Sequence, residues 1–104
     1  MGMQEIMRQA QQMQKKIAQV QEEMANKTVS ASSGGGMVSV TATGSQEITE
    51  VQIDPGVVDP EDVGMLQDLI VAASNEALKK AKEMMEEEMS KVTGGMKLPG
   101  MGMM

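Results

Sequence analysis

Residues 3–24 read MQEIMRQAQQMQKKIAQVQEEM, and their apolar members recur at alternating intervals of three and four. We call this row the apolar seam; it consists of Met3, Ile6, Ala10, Met13, Ile17, Val20 and Met24. Such spacing places side chains along one side of an α-helix. It predicts a helix from Met3 to Ala25, roughly 35 Å long. The seam fits either a coiled-coil partner or an ordinary amphipathic helix lying on its own sheet.

After this helix the chain changes to the alternating pattern of β-strands. Three strands are predicted, with turns at the glycine triplet and at Gly44-Ser45: residues 28–32 (TVSAS), 37–43 (MVSVTAT) and 47–53 (EITEVQI). Ile48 is out of phase with Val51 and Ile53, which indicates a bulge or a frayed start to the third strand. The expected arrangement is a three-stranded antiparallel meander.

A second long helix is predicted to start at Asp59-Pro60-Glu61-Asp62, with Asp59 as the N-cap and Pro60 in the first position. Its apolar residues continue to Val92, and Gly94-Gly95 ends it after roughly 50 Å. Residues 94–104 contain too much Gly and Pro to order themselves, so we expect a flexible tail.

These elements give an α+β fold with the order α-β-β-β-α, as one domain over residues 1–93. Strands of this length extend for only about 20 Å, so the two helices extend beyond the sheet. Their exposed apolar stripes would be covered by pairing of the helices as a projecting arm and by a second copy of the chain. The residues predicted for this dimer contact or for the helix seam are Ile6, Met13, Ile17, Val20, Met24, Leu69, Ile70 and Ala73.

The composition excludes several classes of function. The chain has no Cys and no His, which removes thiol nucleophiles, imidazole bases and the usual zinc ligands. The glycines at 34–36 are not followed by the Gly-Lys-Ser/Thr of a phosphate loop. We therefore predict no enzyme activity, no cofactor and no metal. The N-terminus lacks a signal peptide and no apolar run would cross a membrane, so the predicted location is the cytoplasm.

The net charge of −6 argues against nucleic acid, but the cations are concentrated in the two predicted helices. Residues 1–30 have a net charge of +1, whereas all the charged residues of segment 31–60 are acidic. Doubled in a dimer, the basic residues would form two strips able to straddle a DNA duplex. The predicted DNA-binding residues are Arg8, Lys15, Lys16, Lys79, Lys80 and Lys82. The absence of aromatic residues argues against single-stranded ligands, and no base-reading module is present, so selectivity should be low.

The sequence also resembles the YbaB/EbfC family of bacterial nucleoid-associated DNA-binding proteins. The resemblance covers nearly the whole chain, at residues 9–14 (QAQQMQ), 34–38 (GGGMV), 53–55 (IDP), 68–77 (DLIVAASNEA), 89–96 (MSKVTGGM) and 99–100 (PG). It implies a tight dimer with tweezer-like projecting helices that hold duplex DNA in the nucleoid.

A second hypothesis remains open at this point. The acidic middle segment and the methionine-rich helices also suit a protein–protein adaptor, with recombination or replication factors as partners.

Overall fold

The computed structural model describes residues 2–93, which form two α-helices, three strands and a short 3-10 turn. In chain order these are α1 (Met3–Asn26), β1 (Thr28–Ser33), β2 (Val38–Thr43), β3 (Ile48–Ile53), the 3-10 turn (Pro55–Val57) and α2 (Val63–Val92). The predicted α-β-β-β-α order is confirmed. The tail predicted at residues 94–104 lies outside the described residues.

The helix α1 extends one residue beyond its predicted end, because Lys27 is the first residue to become extended, with φ −98° and ψ 144°. The apolar seam is covered only towards this end. Val20 and Met24 are buried and Met13 and Ile17 are half-buried, whereas Ile6 is 53% exposed. The first turns of α1 therefore project away from the rest of the described chain.

The three strands form one antiparallel sheet in the order β1-β2-β3, so β2 is central. Thr41 pairs with Glu50 and Ala42 pairs with Ile48, which leaves Thr49 as an extra residue in β3. This irregularity is a β-bulge, one of the two explanations that the out-of-phase Ile48 allowed.

The helix α2 begins at Val63, later than predicted, and Asp59 is not its N-cap. The Asp62 carboxylate caps the helix by accepting a hydrogen bond from the Met65 N–H at 3.3 Å. Asp59 instead accepts from the Glu61 N–H at 2.9 Å and so closes a separate turn around Pro60. Asp-Pro is favourable in a turn as well as at the start of a helix, and here it lies in a turn that precedes the helix in the sequence.

The core lies between α2 and the first two strands. Three alanines one turn apart on α2, Ala73, Ala77 and Ala81, are completely buried against a sheet face that includes Val38 and Val40. Because alanine has a short side chain, the helix axis can approach the sheet closely along this line. The helix α2 lies across β1 and β2, and every residue of β3 remains exposed.

The second half of α2 extends past the sheet and packs antiparallel to α1. At the base of this arm, Met24 and Met84 lie together beside Gly44; further out, Met13 lies next to Val92. The molecule is accordingly long and thin, with principal extents of 69 × 26 × 16 Å. In residues 2–93 we find no helix with the length and apolarity needed to span a membrane.

Gly44 joins the arm to the sheet. Its N–H donates to the Met24 carbonyl oxygen at 2.8 Å and to the Lys27 carbonyl oxygen at 3.0 Å. A Cβ atom built on Gly44 would lie 2.8 Å from the same Met24 oxygen, so the close approach requires glycine at this position.

We expect Gly44→Ala to lower the free energy of unfolding by about 1–3 kcal/mol, because the new methyl group has no space beside α1. Gly64→Ala is the control, since a Cβ there meets nothing within 4 Å. In α2 that change should raise the stability by about 0.5–1 kcal/mol through helix propensity. Urea denaturation measures both, and a Gly44→Ala protein as stable as wild type would contradict this packing.

Candidate nucleic-acid interface

The outward side of α1 carries the first group of predicted DNA-binding residues. Arg8 and Lys15 are seven residues apart, or about two helical turns, and therefore lie along one line of the helix. Lys15 precedes Ile17 of the seam by two residues, which places that line opposite α2. Lys16 lies beside it, and all three side chains are exposed. This line faces solvent because α1 contacts α2 with its other side.

The middle of α1 is cationic, between Glu5 at its start and Glu22 and Glu23 near its end. From Ile6 to Gln21 the only charged residues are Arg8, Lys15 and Lys16, so this stretch is purely cationic within a chain of net charge −6. In residues 2–93, ion pairs form at Lys82 and Lys91, and neither Arg8, Lys15 nor Lys16 takes part in one. These three charges are consequently available to an anionic ligand.

The three predicted lysines on α2 occupy a different part of the surface. The ammonium group of Lys80 donates to the Ser30 carbonyl oxygen at 3.2 Å, on the outer edge of β1. Lys82 lies 4.0 Å from Glu86, with both side chains about half exposed. Lys79 is exposed near the base of the arm. The structure thus places Arg8, Lys15 and Lys16 on one side of α1, and the three lysines of α2 lie elsewhere on the surface. A DNA contact by any of the six residues stays a prediction.

Glutamines that the sequence reasoning did not single out share the surface of α1. Gln12 and Gln19 line a shallow depression with Lys15 and Lys16, and Gln9 and Gln12 line another with Arg8. A glutamine amide can donate hydrogen bonds to phosphate oxygens. The high Gln content of residues 9–21 is the sequence signal that could have indicated these residues.

The α2 side of the arm is acidic. Residues 82–92 include Glu83, Glu86, Glu87 and Glu88 against Lys82 and Lys91, a net charge of −2. Within the described part of the chain, these and the other carboxylates form no group of three able to hold a metal ion. The arm is therefore positive along residues 6–21 of α1 and negative along α2, and a polyanion would approach it from the α1 side.

The sheet has a second open surface, along β3. Val51 lies opposite Val40, and Ile53 lies opposite Val38, so these β3 side chains share the face that α2 covers on the other two strands. Yet Val51 is 42% exposed and Ile53 is 37% exposed. The apolar face of the sheet is thus only partly covered within residues 2–93.

The residues predicted for the seam or the dimer contact lie in several places. Ala73 is buried in the core between α2 and the sheet, and Ile70 is half-buried one turn earlier. Leu69 packs over Gly34, and its carbonyl oxygen accepts from the Ser33 hydroxyl at 2.6 Å. Ile6 lies on the first turns of α1, which α2 does not cover, and its side chain is exposed. Their part in contacts between two chains stays a prediction.

The sequence model of the YbaB/EbfC DNA-binding family matches residues 1–96. A nucleoid-associated protein of Acetivibrio thermocellus is 58% identical over 97 residues, which cover 92% of this chain and 86% of the relative. Another, from Ruminiclostridium cellulolyticum, is 55% identical over 101 residues, covering 96% of this chain and 88% of the relative.

The fold has a counterpart among solved structures. The crystal structure of an uncharacterised protein from Helicobacter pylori matches this chain with a TM-score of 0.81 and 28% sequence identity. The match covers 90% of this chain and 99% of that one.

Proposed function

This chain belongs to the YbaB/EbfC DNA-binding family, and from that premise we propose that it binds double-stranded DNA as a homodimer. Its contacts are made to the phosphate backbone, with low sequence selectivity. The observation that carries the proposal is the stretch of α1 from Ile6 to Gln21, whose only charges are Arg8, Lys15 and Lys16, in a chain of net charge −6. We place the protein in the cytoplasm, in the nucleoid, where such binding contributes to DNA organisation and gene regulation.

The chemistry of α1 favours backbone contacts over base recognition. Arginine and lysine side chains on a projecting helix reach phosphate oxygens without entering a groove in a fixed orientation. Glutamines beside them add neutral hydrogen-bond donors. The chain has no Trp, Tyr or Phe on which unpaired bases could stack, which favours a duplex over a single strand.

The open face of β3 supports the homodimer. Ile48, Val51 and Ile53 are exposed large apolar side chains on one strand, and Val63 and Val71 of α2 add to the exposed apolar surface. Monomeric proteins rarely leave an apolar patch of this kind in water. A second copy related by two-fold symmetry would cover both β3 strands at once and would leave both arms projecting.

A homodimer would also raise the DNA affinity that the basic residues of α1 can provide. A single arm offers three cations, which is a small number against the repulsion of a net charge of −6. Two arms on one body double the phosphate contacts at no further cost in translational freedom, so the second arm binds at a high effective concentration. DNA affinity should therefore depend on the dimer.

The acidic side of α2 supports a second role, that of a protein adaptor. Four glutamates, Glu83, Glu86, Glu87 and Glu88, give residues 82–92 a net charge of −2. A basic surface on a recombination or replication factor would complement this side while α1 holds DNA.

We expect DNA affinity to fall steeply with salt, because each neutralised phosphate releases counterions. Lys15→Gln with Lys16→Gln should weaken binding about tenfold or more at low salt and reduce the salt slope by about one for each lost contact. Gel shifts of a random-sequence duplex at several ionic strengths measure both quantities.

The matched control is Lys79→Gln with Lys82→Gln, which removes the same charge from α2 and should weaken binding much less. Equal losses in the two double variants would show that net charge alone governs binding. Failure of the wild-type protein to shift DNA at low salt would exclude the proposal itself.

We expect Val51→Glu to separate the homodimer, because it places a charge in the apolar face of β3. Gln52→Glu is the control: it adds the same charge at the next residue, which lies opposite Ser39 on the other side of the sheet. Light scattering should give twice the 11.1 kDa chain mass for wild type and for Gln52→Glu. Val51→Glu should give the mass of one chain. A wild-type protein of single-chain mass at all concentrations would contradict the homodimer.

A further inference from the structure

The first three turns of α1 present an apolar stripe that has no helix opposite it in residues 2–93. Met3 is 78% exposed, Ile6 is 53% exposed and Met7 is 58% exposed. Met3 and Ile6 belong to the same seam as Met13, which α2 covers at Val92. The seam thus continues beyond the end of α2, and this stripe of Met3, Ile6 and Met7 is left in contact with solvent.

The sequence that follows α2 does not favour a longer helix that would cover the stripe. Gly94 and Gly95 directly follow its last turn, and Pro99 comes shortly after them. Glycine is among the weakest helix formers, and proline interrupts the backbone hydrogen bonds of a helix interior. A cover from these residues would consequently come from a segment that does not continue the helix.

Residues 94–104 have the length and the composition for this role. From Met13 to Met3 the seam runs about 15 Å along the helix, whereas an extended segment of this size reaches more than about 30 Å. The last residue of α2, Val92, lies beside Met13, and Gly94 follows two residues later in the sequence. The large side chains of residues 94–104 are all apolar except Lys97: Met96, Leu98, Met101, Met103 and Met104. Methionine adapts well to an irregular apolar surface.

We propose that residues 94–104 dock on the stripe of Met3, Ile6 and Met7 of the same chain. A second copy of the protein is the competing occupant. The tethered segment is present at an effective concentration in the millimolar range, far above that of a free chain in dilute solution. Its bound form would complete the arm along the full length of α1.

This docking has a consequence for DNA binding that rests on the function proposed above. The uncovered part of α1 is only about three turns long, and isolated helices of that length are marginal in water. Apolar cover would hold Arg8 on an ordered helix and would add the charge of Lys97 to the same end of the arm. Loss of the cover should therefore weaken DNA binding.

Disulfide trapping tests the docking directly, because the chain contains no cysteine of its own. Ile6→Cys with Leu98→Cys should form an intrachain bond under mild oxidation, since docking brings the two Cα atoms within about 7 Å. Gln4→Cys with Leu98→Cys is the control, because Gln4 lies at the same level on the opposite side of α1. The first pair should crosslink at least about fivefold faster, given its higher local concentration.

Equal crosslinking rates for the two pairs would overturn the proposal, and so would bonds formed only between chains, which would assign the stripe to a second copy. The experiment needs no DNA, so its failure is distinguishable from failure of the proposed function.

Hydrogen exchange provides an independent measurement on the full-length chain. Met96→Ser, Leu98→Ser and Met101→Ser together should speed amide exchange over residues 6–12 about tenfold, since these turns lose their apolar cover. The amides of residues 17–26, which α2 and the sheet hold, should exchange unchanged. Unaltered exchange over residues 6–12 would overturn the proposal.

Discussion

The contact between the alanine row of α2 and the first two strands determines the rest of the molecule. Ala73, Ala77 and Ala81 let the helix lie close to β1 and β2, and this line of contact sets where the helix can go. The sheet is much shorter than the helix, so the second half of α2 has to leave it. The helix α1 then packs on that free half, and β3 is left outside the contact.

Both proposed interfaces follow from this geometry. The β3 part of this face is open because α2 lies over β1 and β2, which leaves Val51 and Ile53 beyond its reach. The cationic side of α1 is accessible because α1 touches α2 with its seam and turns Arg8 and Lys15 outward. An acidic protein can thus present a locally positive arm, since the field near a surface depends on the nearest charges more than on the total.

Much of this fold was predictable because local patterns and tertiary packing agree. The three-four spacing that ends in Val20 and Met24 predicted α1, and the phase of Ile48 predicted either a bulge or a frayed start of β3, of which the bulge is observed. The start of α2 was predicted too early because Asp59 and Asp62 are both good N-cap residues. Which of the two caps the helix depends on the turn between them. The hydrogen bond that Lys80 makes was not predictable in the same way. Lys80 meets a carbonyl oxygen fifty residues away in sequence, which spacing along the helix cannot reveal.

That contact of Lys80 also affects the exposed edge of the sheet. The outer edge of β1 is a row of backbone groups ready to accept a strand from another molecule, and natural sheets often use lysine to prevent such additions. By occupying the Ser30 carbonyl oxygen, Lys80 interrupts that row with a hydrated charge. A cation that helps a sheet edge resist aggregation would be retained whether or not it touches nucleic acid. Its presence among the basic residues therefore carries less information about the ligand than the lysines of α1 do.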